Sequence, residues 1–184
     1  MQNQFQKMIK DIFYGHYRHD GWKKQGQNFR YIQEDGLGKI INFQKSKWNT
    51  PRDVTFYINY GLYIEAGDTI ENTTFPEYIC QVVNRTEGFK GEYRLLSEED
   101  IPEVKRKVLE DLETAAEFFN AIPTKAEFVR ILLNGDIAKY SQTKFLMSYP
   151  ICRLLADMGY RKEVYDIIKD REGKYFESLK EELK

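Results

Sequence analysis

The stretch 54–64, VTFYINYGLYI, limits what this chain can fold into more than any other. Val54, Phe56, Ile58, Tyr60, Leu62 and Ile64 alternate with Thr55, Tyr57, Asn59, Gly61 and Tyr63. Successive side chains of a strand point to opposite faces, so the first set packs on a core and the second faces solvent or a partner. A long strand needs neighbours. Residues 38–48 supply one, with Ile41 and Phe43 on the core face and Asn42, Gln44 and Ser46 on the outer one. Asn49-Thr50-Pro51 is the turn between them.

The pattern extends in both directions. Residues 28–34 read as a strand, with Phe29 and Tyr31 alternating against Arg30, and Asp35-Gly36 closes a hairpin. Gly21–Gly26 is a turn or a strand entry. Residues 66–77 form a polar loop, 78–86 a further strand, and Tyr93–Leu96 a short strand or a helix entry. Ahead of the strands, Phe5, Met8, Ile9, Ile12 and Phe13 recur at helical spacing and predict a helix over 2–18.

From Ser97 onward the period is helical. Ser97-Glu98-Glu99-Asp100 and Pro102 open a helix carrying Val104, Val108, Leu112, Ala115, Ala116 and Phe119 to about residue 120. Thr124-Lys125-Ala126-Glu127 is a capping box, and Asn134-Gly135 ends the helix that follows. Further helices are expected over 136–147, 150–158 and 161–182, the last interrupted near Gly173. Residues 151–164 resemble one helical-repeat hairpin, but a solenoid needs about three such units. The fold class is therefore α+β: an antiparallel sheet of about four or five strands packed by helices, followed by a C-terminal helical bundle. The chain reads as one domain, 1–184, with 1–96 as helix plus sheet and 97–184 as a helical layer.

Charge and cysteine content narrow the function classes. The net charge is −1, which argues against general nucleic-acid binding, since phosphates need a basic face. Lys45, Lys47, Trp48 and Arg52 are the one local basic-aromatic patch that keeps such binding as an alternative. Cys80 and Cys152 each stand in apolar surroundings and are expected as buried, reduced thiols. The N-terminus has no signal-peptide pattern and no stretch is long and apolar enough to span a membrane, so the expected location is the cytoplasm. Asn72-Thr73-Thr74 and Asn84-Arg85-Thr86 match glycosylation acceptors and carry little weight in that setting.

Catalytic motifs do not emerge. His16 and His19 are spaced for a shared metal, but no Cys lies nearby and only Asp11 and Asp20 are close in sequence, so neither a metal nor a cofactor is expected. The cysteines are distant in sequence from both histidines, and no nucleophile-elbow, phosphate-loop or zinc-helix pattern occurs. Paired carboxylates such as Glu98/Glu99 and Glu181/Glu182 lie on solvated helical faces. No residue is assigned as catalytic. The outer sheet face is different. Asn and Gln have low strand propensity, yet Gln44 and Asn59 sit mid-strand, with Tyr57 and Tyr63 flanking them and Arg85 within reach.

Phe43-Gln44-Lys45-Ser46-Lys47, Phe56-Tyr57-Ile58-Asn59-Tyr60-Gly61 and Cys80-Gln81-Val82-Val83-Asn84-Arg85 together resemble the signature of the bacterial family called domain of unknown function 4304. The initial helix, the Gly21-Trp22-Lys23-Lys24 run and the helical tail are similar to it as well. The resemblance covers about the first 120 residues well and the tail loosely. It implies an α+β fold and no activity, and it singles out Gln44, Ser46, Asn59 and Arg85. One departure stands out: no tryptophan follows Arg85 before Tyr93.

The candidate binding residues are therefore Gln44, Ser46, Tyr57, Asn59 and Arg85. The leading expectation is a non-catalytic protein-interaction module of adaptor or immunity type, with an unidentified protein partner. Small-ligand binding or an enzyme using the same polar face is the alternative, and nucleic-acid binding through the basic patch the further one.

Overall fold

The computed structural model describes residues 1–65, 80–87, 91–142, 145 and 147–184. The chain divides into two compact units, Met1–Pro123 and Thr124–Lys184, and the first ends after the long helix. The class is α+β.

The first unit is an antiparallel sheet with helices on one face. Its elements are α1 (Gln2–His16), β1 (Lys23–Gln25), β2 (Asn28–Ile32), β3 (Leu37–Lys45), β4 (Val54–Ile64), β5 (Val82–Arg85), β6 (Tyr93–Leu95) and α2 (Ile101–Ala121). The order is β1-β2-β3-β4-β5, and β6 also pairs with β4. β5 takes the Asn59–Leu62 part of β4, and β6 takes Val54–Phe56. β4 is thus the strand on which both halves of the sheet depend, and its expected limits, 54–64, hold. β1 is an edge strand where the sequence shows only a turn or strand entry. Its Lys23, Lys24 and Gln25 carry no apolar alternation, and pairing with β2 alone makes it a strand.

Local chemistry fixes the connections. Gly36, at φ +83°, makes the β2–β3 turn, and Asp35 Oδ1 accepts from the Leu37 backbone N–H at 3.0 Å. Between β3 and β4, the Asn49 side chain takes the place of a strand residue. Its Nδ2 donates to the Thr55 carbonyl and its Oδ1 accepts from the Thr55 N–H, both at 2.8 Å. The Ser97 capping box forms with Asp100, whose carboxylate accepts from the Leu96 and Ser97 N–H groups. The expectations for 66–77, for Asn72-Thr73-Thr74 and for the start of the 78–86 strand lie outside the described residues.

One face of the sheet carries the core. Phe5 of α1 meets Phe56 at 4.9 Å between ring centroids, Phe13 meets Phe29 at 5.1 Å, and Phe118 of α2 meets Tyr60 at 5.4 Å. Each buried aromatic contributes about 2–3 kcal/mol on burial. A polar chain ties α2 to β6: the Tyr93 hydroxyl donates to Asp111 Oδ2 at 2.6 Å, Thr86 Oγ1 lies 2.7 Å from that hydroxyl, and Lys107 pairs with Asp111 Oδ1.

The second unit is a bundle of short helices: α3 (Lys125–Asn134), α4 (Tyr149–Asp157), α5 (Arg161–Ile168) and α6 (Lys174–Leu183). Thr124 caps α3 by accepting from the Glu127 N–H, and Gly135, at φ +74°, ends it. Of the helix expected over 136–147, the described residues 136–142 form only a 3₁₀ turn, Asp136–Lys139. That stretch offers only Ile137 to a core before Ser141, too few apolar positions to hold a longer helix. Gly173, at φ +120°, separates α5 from α6 near the expected interruption.

Candidate functional site

The face of the sheet turned away from α1 and α2 is built by register. Asn28 pairs with Asn42, and Asn42 with Asn59, across β2, β3 and β4. Gln44 stands opposite Tyr57, and Arg85 of β5 opposite Asn59. Because side chains of one face repeat every second residue, these six share a surface.

They form one hydrogen-bonded network. Arg85 Nε donates to Asn59 Oδ1 at 2.9 Å, and Arg85 Nη2 donates to Gln44 Oε1 at 3.2 Å. Asn59 Nδ2 donates to Gln44 Oε1 at 2.9 Å and to Asn42 Oδ1 at 3.2 Å. Asn42 Nδ2 donates in turn to Asn28 Oδ1 at 2.6 Å. A guanidinium has donors only, so Arg85 sets the direction of every amide in this chain. Asn59 must turn its oxygen to Arg85, which turns its NH₂ to Asn42, which does the same to Asn28. The Arg85 guanidinium lies 4.5 Å from the Tyr57 ring centroid, and the Tyr57 hydroxyl donates to Glu92 at 3.4 Å.

Burial is graded along the network. Asn28, Asn42 and Asn59 are buried, Tyr57 is half-buried, and Gln44 and Arg85 are exposed. The interior amides thus hold an exposed arginine and glutamine in fixed positions on a rigid sheet. Removing the hub tests this. Asn59→Ala leaves Asn42 Oδ1 and Arg85 Nε without the bonds described, and a loss of about 2 kcal/mol is expected, read as a lower urea midpoint at unchanged slope.

Of the sequence-derived candidates, the structure brings together Gln44, Tyr57, Asn59 and Arg85. Ser46 stands apart. β3 ends at Lys45, and Ser46 Oγ accepts from the Trp48 backbone N–H at 3.2 Å, so this side chain shapes the turn. Asn28, Asn42 and Glu92 belong to the network and were missed. Asn42 shows on the outer face by period alone, but its partners follow only from the register.

The basic-aromatic patch divides. Lys45 projects on the helix-covered face and donates to Gln2 Oε1 at 3.1 Å, whereas Lys47 lies over the ring of Trp48, which is 81% exposed. His16 and His19 are exposed, and no group of three or more His, Cys, Asp or Glu that can hold a metal occurs among the described residues. Cys152 is buried, and burial pushes its thiol above the ordinary range, away from nucleophilic duty. Cys80 is half-buried against Ile40 and Tyr63. Asn84 is buried and its side chain hydrogen-bonds the Tyr60 hydroxyl, so it offers no accessible glycosylation acceptor in the fold. No helix among the described residues is long and apolar enough to cross a membrane.

A family model described as Domain of unknown function (DUF4304) matches residues 16–121. The match runs from the last residue of α1 to the last residue of α2 and contains every residue of the network. It stops short of the helical tail, which the resemblance was expected to reach loosely. No curated protein and no solved structure matches the chain.

Proposed function

We propose, for a chain that belongs to the DUF4304 family, that it is a non-catalytic binding module of the cytoplasm whose amide-arginine face docks a protein partner through a carboxylate-bearing segment. The observation that carries this reading is the placement of Arg85. Its guanidinium is exposed, stacked on Tyr57 and oriented by hydrogen bonds to Gln44 and Asn59. Arginine and tyrosine are the residue types that dominate binding energy at protein interfaces, and a guanidinium fork matches a carboxylate in two parallel hydrogen bonds. Holding both side chains on a sheet before binding lowers the entropy lost on association. The neighbouring side chains are amides and a phenol, which suit recognition better than proton transfer at neutral pH.

A photo-crosslinking amino acid at Gln44, in the full chain, tests the proposal in its native host. The expected result is one stoichiometric cross-linked protein, lost in Arg85→Ala and retained in Tyr14→Ala, which alters an exposed position on α1. Affinity should fall at least about tenfold on loss of Arg85, the range of an interface hot spot. A partner insensitive to Arg85→Ala, or no stoichiometric partner, overturns it.

A further inference from the structure

The other side of the first unit has a pocket that the network does not use. Its volume is about 500 Å³, and it opens between the end of α1, the β1–β3 side of the sheet and α2. Cavities of this size accommodate small molecules. Tyr17, Trp22, Tyr31 and Phe119 line it: Trp22 lies 5.2 Å from Tyr17, is stacked on Tyr31 at 5.8 Å and 29°, and lies 5.9 Å from Phe119.

Two polar groups in this pocket have no hydrogen-bond partner among the described residues. The first is Lys39. The core-facing row of β3 is Leu37, Lys39, Ile41 and Phe43, so a cation interrupts an otherwise apolar row on an interior strand. Its ammonium lies 5.9 Å from the Tyr31 centroid and 5.8 Å from that of Phe119. No hydrogen-bond acceptor or ion-pair partner for it occurs among the described residues. Burial lowers its pKa below the ordinary lysine range, which the nearby Asp35 opposes. The second group is Gln33, whose buried Oε1 has no hydrogen-bond donor among the described residues. An ammonium held against ring faces and an unmet amide oxygen are costly to bury unless something completes them.

We propose that this pocket binds a small planar molecule carrying a single carboxylate, with the ring against Trp22, Tyr31 and Phe119, the carboxylate on Lys39 and a donor on Gln33. The chemistry excludes the neighbouring classes. A quaternary ammonium would compete with Lys39 for the same ring faces. A phosphate dianion would meet Glu113 and Asp20, which also line the pocket, with one lysine to offset them. A one- or two-ring monocarboxylate that also carries a hydroxyl or amino donor satisfies all three demands, and benzoate alone satisfies the first two.

The two tryptophans make the test self-controlled, since Trp22 lines the pocket and Trp48 is on the surface. The full chain is labelled with ¹⁵N, and the indole N–H signals are followed during titration with benzoate, benzamide and benzyltrimethylammonium. Benzoate is expected to shift the Trp22 signal saturably with a Kd of about 1 mM, the range of a good fragment of this size, while Trp48 stays in place. Lys39→Met keeps the apolar stem and should weaken benzoate at least about tenfold, whereas Arg85→Ala should leave it unchanged. That last comparison separates this site from the protein-docking face. Equal binding of benzamide, benzoate binding that survives Lys39→Met, or a Trp22 signal unmoved at about 10 mM benzoate overturns the proposal.

Discussion

Gly38→Ala is expected to destabilise the protein by about 3 kcal/mol or more, the upper range for overpacking a filled interior. The cause is one ring. Gly38 of β3 stands opposite Tyr63 of β4, and the Tyr63 side chain lies across it. A Cβ at position 38 would occupy the space of that ring. The ring is fully buried, and Ile40 and Cys80 pack against it, so it has little room to yield. Urea denaturation of the single variants and of Gly38→Ala/Tyr63→Ala would measure the coupling. Once the ring is gone the added methyl should cost little, giving a coupling of about 2 kcal/mol or more. A cost for Gly38→Ala alone below about 1 kcal/mol would sink the account. Tyr63→Phe separates the ring from its hydroxyl. That hydroxyl is buried and has no hydrogen-bond partner among the described residues, so its removal should leave stability unchanged or raised.

The second large effect is alkaline unfolding. Four phenols of the first unit have raised pKa values. Tyr63 is pushed up to about 12 by burial, with Arg30 opposing. Tyr93 is raised by burial and by its hydrogen bond to Asp111, Tyr17 by burial and Glu113, and Tyr60 by burial, with Asn84 opposing. A tyrosine with a raised folded pKa keeps its proton where the unfolded chain has lost it. Its stabilising contribution is therefore whole below about pH 10, the unfolded value, and is lost as pH rises toward the folded value. Each such group removes about 1.4 kcal/mol per pH unit in that window. Together they should erode much of a typical folding free energy of about 5–15 kcal/mol as pH rises above about 10. Phenolate absorbance and far-ultraviolet circular dichroism should then change together in one steep step, less steep by one proton in Tyr63→Phe. A single shallow phenolate titration with unchanged dichroism at pH 12 would rule this out.

These predictions depend differently on what a reader of the sequence sees. The faces of β4 were legible because strand geometry is local: period two alone assigns Phe56, Ile58 and Tyr60 to the core and Tyr57 and Asn59 to the other side. The caps at Ser97 and Thr124 were legible for the same reason, since a capping box closes within a few residues. β1 was not, because Lys23-Lys24-Gln25 becomes a strand only through β2. Ser46 was assigned to the face by alternation, but the strand stops one residue earlier, at Lys45, where the Ser46 hydroxyl serves the turn. The polar face itself was half legible. Gln44 and Asn59 stood out against their propensity, whereas Asn28 gave no signal until register set it beside Asn42.

The sequence by itself determined which residues share a strand face, where most helices begin and end, and that the chain is α+β. Tertiary structure alone decided that Arg85 orders four amides from three other strands, that Tyr63 covers Gly38, and that Lys39 and Gln33 line one pocket with Trp22 and Phe119. The physical reason is the range of the interactions. Periodicity and capping are set by backbone geometry over a few residues, while register and packing join residues far apart in the chain, and a shift of one residue would move every side chain of a strand to the opposite face.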